Sequence, residues 1–510
     1  TLSSSSAASD VYKRQSLSCT AKETLPLKNL RRSIFKIYVV SKEPRFNQPW
    51  LFESSGKSTG SGFYIGNSRI MTNAHVVSFG RYITVQRDGD ARPTPAYVEY
   101  IAHDSDLAIL KVGDSAALEG STPLKFGKTP SLRDKVATVG YPRGGEQISI
   151  TEGVVSRISY RRYAHPGYDR HLLVQVDSAI NPGNSGGPVF KGDQVVGVAF
   201  QSHTKAENTG YIIPTVVVER FLDDIKDGSY EGHPKDGLVL MNSALENEAT
   251  RRFHGSQSNG GVKLSAVAPY SPLKGHLKSG DVILALDGLD IGVDGKLEYV
   301  NERIDFQVVI DQARHGQKLE FRVLRDGKEK LVNVTITPPS THYSPSNVFT
   351  LRPRYFSFGG LIFTAMSRDY LEDWGDKWYY DAPLPMKYLH RYSNVEPQFS
   401  GVRDIVVLSG VLPDKINVDA TPFRESILES VNGEVIKSLE QLKGVLEAKP
   451  EGGLLKLNFW LEGKPLILSW QELSSGNKAL LKKYDVTLDQ WLGNREQDGA
   501  ISVGITREKT

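Results

Sequence analysis

The sequence predicts a mainly β protein, in which a unit made almost wholly of strands is followed by two smaller units that mix strands with short helices. Three observations carry this expectation. Residues 33–227 hold many strand-length runs rich in β-branched and aromatic side chains, each bounded by Gly, Asn, Asp or Pro. Short strands at such close spacing build a barrel or a sandwich. Beyond residue 237, two stretches share one layout, a strand running into an Asp-Gly or Asn-Gly turn and then a helix and a strand pair. The length of 510 residues accommodates about three domains of roughly 150 residues each.

Taken in order, residues 1–29 read as leader or linker: the chain starts without Met, and Ser5–Gln15 resembles translated adapter sequence. The first unit spans 30–228, with strands at Ile34–Val40, Gly62–Ile65, Tyr82–Val85 and Leu107–Leu110. A helix is predicted over Val216–Lys226, with Val217, Phe221 and Leu222 on one side, and Asp227-Gly228-Ser229 and Gly232-His233-Pro234 form a linker. The second unit covers 237–345 and the third 346–476, where Ile427–Gly433 repeats the plan of Ser279–Gly288. A helix over Lys478–Tyr484 and a polar tail complete the chain, 477–510.

Composition narrows the function. With 39% hydrophobic and 24% charged residues the chain folds, and a net charge of +3 gives no reason to expect nucleic acid as a partner. A single cysteine, Cys19, excludes an intrachain disulfide and argues against Cys-ligated zinc or cysteine-protease chemistry. No run of about 18 apolar residues is present, so no transmembrane helix is expected. No metal or cofactor is implied.

Three segments carry chemistry. Met71-Thr-Asn-Ala-His-Val-Val77 sets one histidine where a strand passes into a helical turn. Asp104-Ser-Asp-Leu-Ala-Ile-Leu110 sets an acid directly before an apolar strand, where a buried carboxylate needs a partner. Asn181-Pro-Gly-Asn-Ser-Gly-Gly-Pro188 frames one serine with glycines, a turn able to aim backbone N–H groups at one spot. A serine hydroxyl needs a base, and the base needs an acid to fix its tautomer. His75, Asp106 and Ser185 supply these in the chymotrypsin order, with Asp104 expected in a solvated turn. The turn Gly183-Asn184-Ser185 makes the oxyanion hole, with the N–H groups of Gly183 and Ser185 as donors and Asn184 shaping the turn. Gly183–Gly187 also fits the G-x-S-x-G elbow of α/β-hydrolases, but those place serine first and follow it with a helix. In a chymotrypsin-type site the residue six before the nucleophile floors the S1 pocket. That residue is Ala179, with Ile180 beside it and Ala199 and Phe200 as a wall in which Phe200 limits the depth.

Thr59-Gly-Ser-Gly-Phe63, Thr72–His75, Asp106–Leu110, Gly140-Tyr-Pro142, Gly183–Pro188 and Gly210-Tyr-Ile-Ile-Pro214 together resemble the HtrA/Deg proteases. The resemblance implies two six-stranded barrels with the site between them, ATP-independent cleavage of unfolded or damaged polypeptides, and PDZ domains downstream. It also implies self-association as a trimer or a multiple of it, for which the aromatic segment Phe46–Phe52 offers a contact surface. The tail resembles plant-type Deg proteases with a divergent second PDZ domain. The expected peptide loops are Leu238-Val239-Leu240 in the first PDZ-like unit and Gly359-Gly360-Leu361 in the second. An insertion at Asp369–Phe399 carries aromatics that suit a packing surface. The expected compartment is the bacterial periplasm or envelope, with an organelle or nucleus of a eukaryote as the alternative. The alternative function is a chaperone or PDZ-based scaffold with little proteolysis, which has no need of a complete triad.

Overall fold

Alternation along the strands decides how the first unit closes. In β1 (Ile34–Ser41), Phe35, Ile37 and Val39 fill one cluster while Ile34 joins another. The same division runs through β2 (Gly56–Gly66), β3 (Arg69–Thr72), β5 (Thr94–Ala102) and β6 (Leu107–Val112), while β4 (Gly80–Arg87) gives Ile83 and Val85 to the first cluster. These six close into a barrel in the order β1-β2-β3-β6-β5-β4. A second barrel, ordered β10-β11-β12-β9-β8-β7, is built from β7 (Lys135–Gly140), β8 (Ser149–Arg162), β9 (Arg170–Val176), β10 (Pro188–Lys191), β11 (Gln194–Ser202) and β12 (Gly210–Pro214). In β6, Ala108 and Leu110 fill the first barrel, whereas Leu107 and Ile109 pack with residues of the second. Burial on both faces is why this strand is an unbroken apolar run.

The structure is a computed structural model. It describes residues 27–493 apart from 146, 203–209, 242–244, 246, 254–259, 339–345, 350–351, 394–395, 397–398 and 400. The lone cysteine and residues 1–26 of the stretch read as leader lie outside the described residues, and its last three, 27–29, open the first helix.

Short helices punctuate the barrels: α1 (Leu27–Arg32), α2 (Ala74–Val77) and α3 (Thr215–Asp224). The last is the helix expected from Val216, continued by a 3₁₀ turn over Ile225–Asp227, and its Val217, Val218 and Phe221 are fully buried.

The second unit is a sheet of β13 (Leu238–Met241), β14 (Val262–Val267), β15 (Val282–Leu286), β16 (Leu289–Asp290), β19 (Lys318–Arg325) and β20 (Lys328–Thr335), with a hairpin of β17 (Lys296–Tyr299) and β18 (Glu302–Asp305). Helices α4 (Glu248–Phe253) and α5 (Gln307–Gln312) accompany it. Asp287 and Gly288 take φ of 47° and 77°, so Leu286 pairs directly with Leu289 in a two-residue hairpin. This unit is docked on the second barrel. Ile304 and Val308 are buried in the same cluster as barrel residues, and Asp311 of α5 meets His171 of β9 at 2.9 Å.

The third unit has two four-stranded sheets, β23-β22-β21-β28 and β25-β24-β26-β27. Their strands are β21 (Tyr355–Phe358), β22 (Leu361–Ala365), β23 (Val406–Val411), β24 (Leu428–Val431), β25 (Glu434–Val435), β26 (Leu454–Phe459), β27 (Leu466–Ser469) and β28 (Gln490–Trp491). The turn of the second unit recurs: Val431 pairs with Glu434 across Asn432-Gly433, at φ 50° and 86°. In each unit a helix and a strand pair follow this hairpin, α5 before β19–β20 and α9 (Leu439–Glu447) before β26–β27. The insertion forms α6 (Arg368–Leu371), α7 (Trp378–Asp381) and α8 (Leu384–Tyr392), placed before α9, and α10 (Trp470–Lys483) closes the unit.

Two expectations are corrected. The terminal helix starts at Trp470 instead of Lys478, because Ser469 caps it by accepting from the Glu472 N–H. Its Leu473, Leu480 and Leu481 are buried and β28 pairs with β21, so the residues after 476 belong to the third unit. Two rings of Phe46–Phe52 are likewise not a free contact surface, whereas the half-buried Phe52 lies under Lys42, Arg81 and Arg352. Phe46 is buried against Tyr370 and Trp378 of the insertion, and Trp50 packs on Tyr355 and Ile362 of the third unit. Within the insertion Tyr379 and Tyr380 stay exposed, at 60% and 78%. No helix among the described residues is long and apolar enough to cross a membrane.

Candidate active site

The histidine and the acid come from neighbouring ends of the first barrel. β3 ends at Thr72 and passes into α2, which carries His75, while Asp106 stands immediately before β6, the strand paired with β3. Asp106 takes φ +54°, a conformation aspartate tolerates, and its carbonyl accepts the Asn73 side-chain amide at 2.9 Å. Its carboxylate holds His75 twice: Oδ1 accepts the backbone N–H at 2.8 Å and Oδ2 lies 2.7 Å from Nδ1. Asp106 is fully buried. Burial pushes its carboxyl up, but the charges of His75 and His165 and the bonds from His75 outweigh it and hold it below the usual range. Burial disfavours the charged imidazole of His75, yet the Asp106 charge and hydrogen bond raise its pKa above the ordinary value.

The serine lies on the second barrel, in the loop before β10. Gly183 and Gly186 take φ of 101° and 85°, and a Cβ on either would lie within 2.5 Å of neighbouring atoms, Arg143 N and Tyr141 O at Gly183 and Ser61 O at Gly186. Only glycine fits both the conformation and the space. Asn184 N–H donates to the Asn181 carbonyl at 2.9 Å, which tightens the turn. Gly186 N–H donates to Ala199 O at 2.8 Å, and Ser185 O accepts Ser61 N–H at 2.8 Å. Among the described residues, the N–H groups of Gly183 and Ser185 are given no acceptor, as an oxyanion hole requires. The Ser185 hydroxyl donates to the Phe200 carbonyl at 3.2 Å.

The expected pocket residues are placed as follows. Ile180 and Ala199 are buried, and the Ala179 carbonyl accepts the Thr151 hydroxyl at 3.0 Å. The Phe200 ring is buried against Tyr163, with centroids 4.7 Å apart, and its carbonyl faces the Ser185 hydroxyl.

Other residues of the site were given no such role in the sequence. Ser61 of β2 is fully buried; its hydroxyl donates to Gly183 O at 2.7 Å and accepts Tyr141 N–H at 2.8 Å, so one barrel clamps the loop of the other. Its signal is a small polar residue set between two glycines, Gly60 and Gly62, where β2 turns buried. Asp104 is no solvated turn: it accepts Tyr230 O–H at 2.6 Å and His233 N–H at 3.0 Å. Burial raises its carboxyl, but the cations His233, Lys235 and His171 pull it well below the usual range. Nearby, His171 and His233 both turn Nδ1 toward Asp311, at 2.9 and 3.1 Å, and His171 Nε2 lies 2.8 Å from the Asp104 carbonyl. These three form a donor set able to hold a metal ion. With a carbonyl at one ring nitrogen and a carboxylate at the other, His171 is placed to donate at both as an imidazolium, and its pKa is raised against the opposing effect of burial. The group reads as an ionic clasp between the second barrel and the second unit.

Neither expected peptide loop is found as a loop. Leu238, Val239 and Leu240 lie in β13 and pair with Val267, Ala266 and Leu264 of β14. Gly359 and Gly360, at φ 57° and 80°, are the two turn residues of the β21–β22 hairpin, with Phe358 paired to Leu361. The Gly359 N–H is taken by Asn477 Oδ1 at 2.9 Å, so it is not offered to a peptide carboxylate. A Cβ on Gly359 would approach Leu473 to 2.4 Å. Gly359→Ala is therefore expected to cost about 2–4 kcal/mol from left-handed backbone strain and overpacking. Thermal unfolding should show a lowered transition; an unchanged one would mean that α10 does not pack on this turn.

Comparison with known proteins follows this geometry. A trypsin-like peptidase domain matches residues 60–198, and PDZ domains match 239–336 and 344–490. Protease Do-like 2, chloroplastic, of Arabidopsis thaliana is 35% identical over 460 residues, covering 89% of this chain and 74% of its own length. Protease Do-like 4, mitochondrial, of the same plant is 35% identical over 418 residues, covering 81% and 76%. A solved HtrA-type protease, AlgW with a tripeptide, aligns with a TM-score of 0.48 and 22% identity over 61% of this chain and 95% of that one.

Proposed function

Because the chain belongs to the Deg/HtrA family of serine proteases, we propose that His75, Asp106 and Ser185 form its catalytic triad and that it cleaves unfolded polypeptides without ATP. The observation that carries this reading is the His75–Asp106 pair, doubly bonded at 2.8 and 2.7 Å beside the serine loop. Asp106 accepts from Nδ1–H, which leaves Nε2 as the base. To reach that base the Ser185 hydroxyl must exchange its bond to the Phe200 carbonyl for one to Nε2. Nε2 removes the hydroxyl proton as Oγ attacks the scissile carbonyl, and the charge on the carbonyl oxygen falls to the N–H groups of Gly183 and Ser185. His75 then returns the proton to the leaving amine, and water hydrolyses the acyl-enzyme by the same steps in reverse roles. Self-association as a trimer or a multiple of it accompanies this reading, through surfaces other than the rings of Phe46 and Trp50.

A fluorophosphonate probe tests the nucleophile: labelling confined to Ser185 supports the reading, and an unlabelled folded chain refutes it. The pocket gives a further expected result. Ala179, Ile180 and Ala199 offer a Lys or Arg head no charge, and an unpaired buried cation costs several kcal/mol. An apolar pocket separates neighbouring aliphatics by only about 1–3 kcal/mol per methylene. Mass spectrometry of casein fragments should therefore show cuts spread after Val, Ile, Ala and Thr. A majority after Lys or Arg would overturn the pocket assignment.

A further inference from the structure

Four rings beside the triad have no part in the steps above. His165, in the loop between β8 and β9, has its ring centroid 6.1 Å from that of His75. His103, three residues before Asp106, bonds to it, Nδ1 to Nε2 at 2.9 Å. Phe349 stacks on both, at 3.9 Å and 19° from His165 and at 4.6 Å and 20° from His103. Phe79, just beyond the helix that carries His75, stands 6.0 Å from Phe349. Three of the rings belong to the barrels; the fourth, Phe349, is delivered by the segment between β20 and β21.

That segment is held by polar contacts at both sides. Ser346 Oγ donates to Asp169 at 2.8 Å and Asn347 N–H to the Pro166 carbonyl at 3.2 Å, both in the β8–β9 loop. The N–H groups of Val348 and Phe349 donate to Asp369 of α6 at 2.8 and 3.3 Å. Phe349 is only half-buried and takes φ +49°, a conformation a bulky side chain adopts when its surroundings impose it. Burial, against the pull of Asp106, holds the His165 imidazole down at about 4, so near neutral pH it presents a flat uncharged face.

We propose that Phe79, His103 and His165 form a subsite for an aromatic side chain of the polypeptide substrate, and that Phe349 fills this subsite in the resting chain. The inference rests on the protease reading and names a preference of that same site. Stacked ring faces accept a further aromatic ring, offset or edge-on. The cage adjoins His75, so a substrate chain laid against the general base passes it. A substrate ring enters when Phe349 leaves, and because Asp369 holds the Val348 and Phe349 N–H groups, release is tied to the third unit.

The test uses the full chain and internally quenched peptides with Val before the scissile bond and Ala elsewhere, a single Phe being walked through the preceding positions. Phe349→Ala should raise kcat/KM for the best Phe-bearing peptide about tenfold, mainly through KM, and that of the all-Ala peptide less than about twofold. His165→Ala added to Phe349→Ala should remove the difference between the peptides, and His165→Phe should restore it. If Phe349→Ala lowers the unfolding temperature, the peptides are compared well below that temperature, where the variant is folded. Binding of the same peptides to Ser185→Ala, with and without Phe349→Ala, reads the cage without chemistry. Tighter binding of the Phe peptide in the double variant supports the cage even if wild type neither cleaves nor takes a fluorophosphonate, a result that would sink the protease reading alone. Equal gains for all peptides, or no gain in rate or binding, overturn the subsite.

Discussion

Ser185→Ala protein is expected to lose about 10⁴-fold or more in kcat on casein while unfolding at the wild-type temperature. The size of the loss follows from the chemistry: with no Oγ there is no acyl-enzyme, and what remains is whatever the oxyanion donors give to attack by water. The retained stability follows from the contacts. The Ser185 hydroxyl makes one hydrogen bond, to Phe200 O at 3.2 Å. Removing one such bond at a half-buried position costs about 1 kcal/mol or less. The bonds that shape the loop are backbone bonds an alanine keeps, Ser61 N–H to Ser185 O and Gly186 N–H to Ala199 O. The measurement is a pair, turnover of casein and a thermal unfolding curve. Substantial turnover by the pure variant would remove Ser185 from the mechanism, and a lost transition would show that the hydroxyl carries the fold.

What could be read in the sequence was whatever a short segment settles within itself. Asp287-Gly288 and Asn432-Gly433 demand positive φ and two-residue hairpins, and both form. Leu107–Leu110 reads as a strand buried on both faces, and each face has its own barrel to pack in. The three catalytic candidates each carry a local signature, and the pairing of His75 with Asp106 follows from two of them. What could not be read depends on which distant segment arrives. Asp104 was expected in a solvated turn because its chain neighbours look like one; its partners Tyr230 and His233 lie far along the chain. Gly359-Gly360 was expected as an open loop because nothing near it in sequence announces Asn477 and Leu473 closing over it. Phe46 and Trp50 looked like surface rings for the same reason. The start of α10 was legible and missed: Ser469 followed by Glu472 is an N-terminal signature in its own right.

Asp106→Asn and Asp104→Asn are expected to part company completely. At position 106 the substitution removes the charge that fixes the His75 tautomer. An amide N–H facing Nδ1 leaves the ring proton on Nε2, where it cannot accept from serine, and kcat should fall about 10⁴-fold. The pH profile should move with it. Asp106 holds the pKa of His75 above the ordinary value, so wild-type kcat/KM falls with acid through a pH above about 6.5. Without that charge, burial acts on the imidazole unopposed and the acid limb of the residual activity moves to lower pH. At position 104 kcat should stay within about threefold, because its carboxylate reaches Tyr230 and His233 and not His75. The cost there is stability, about 1–3 kcal/mol at neutral pH. Asp104 has a depressed carboxyl pKa in the folded chain, so its contribution is complete above the unfolded value near 4 and is lost as the pH falls below it. The stability difference between wild type and Asp104→Asn should therefore be full at pH 7 and close progressively on acidification. Equal losses of kcat in the two variants, or the larger loss at Asp104, would transfer the catalytic carboxylate away from Asp106.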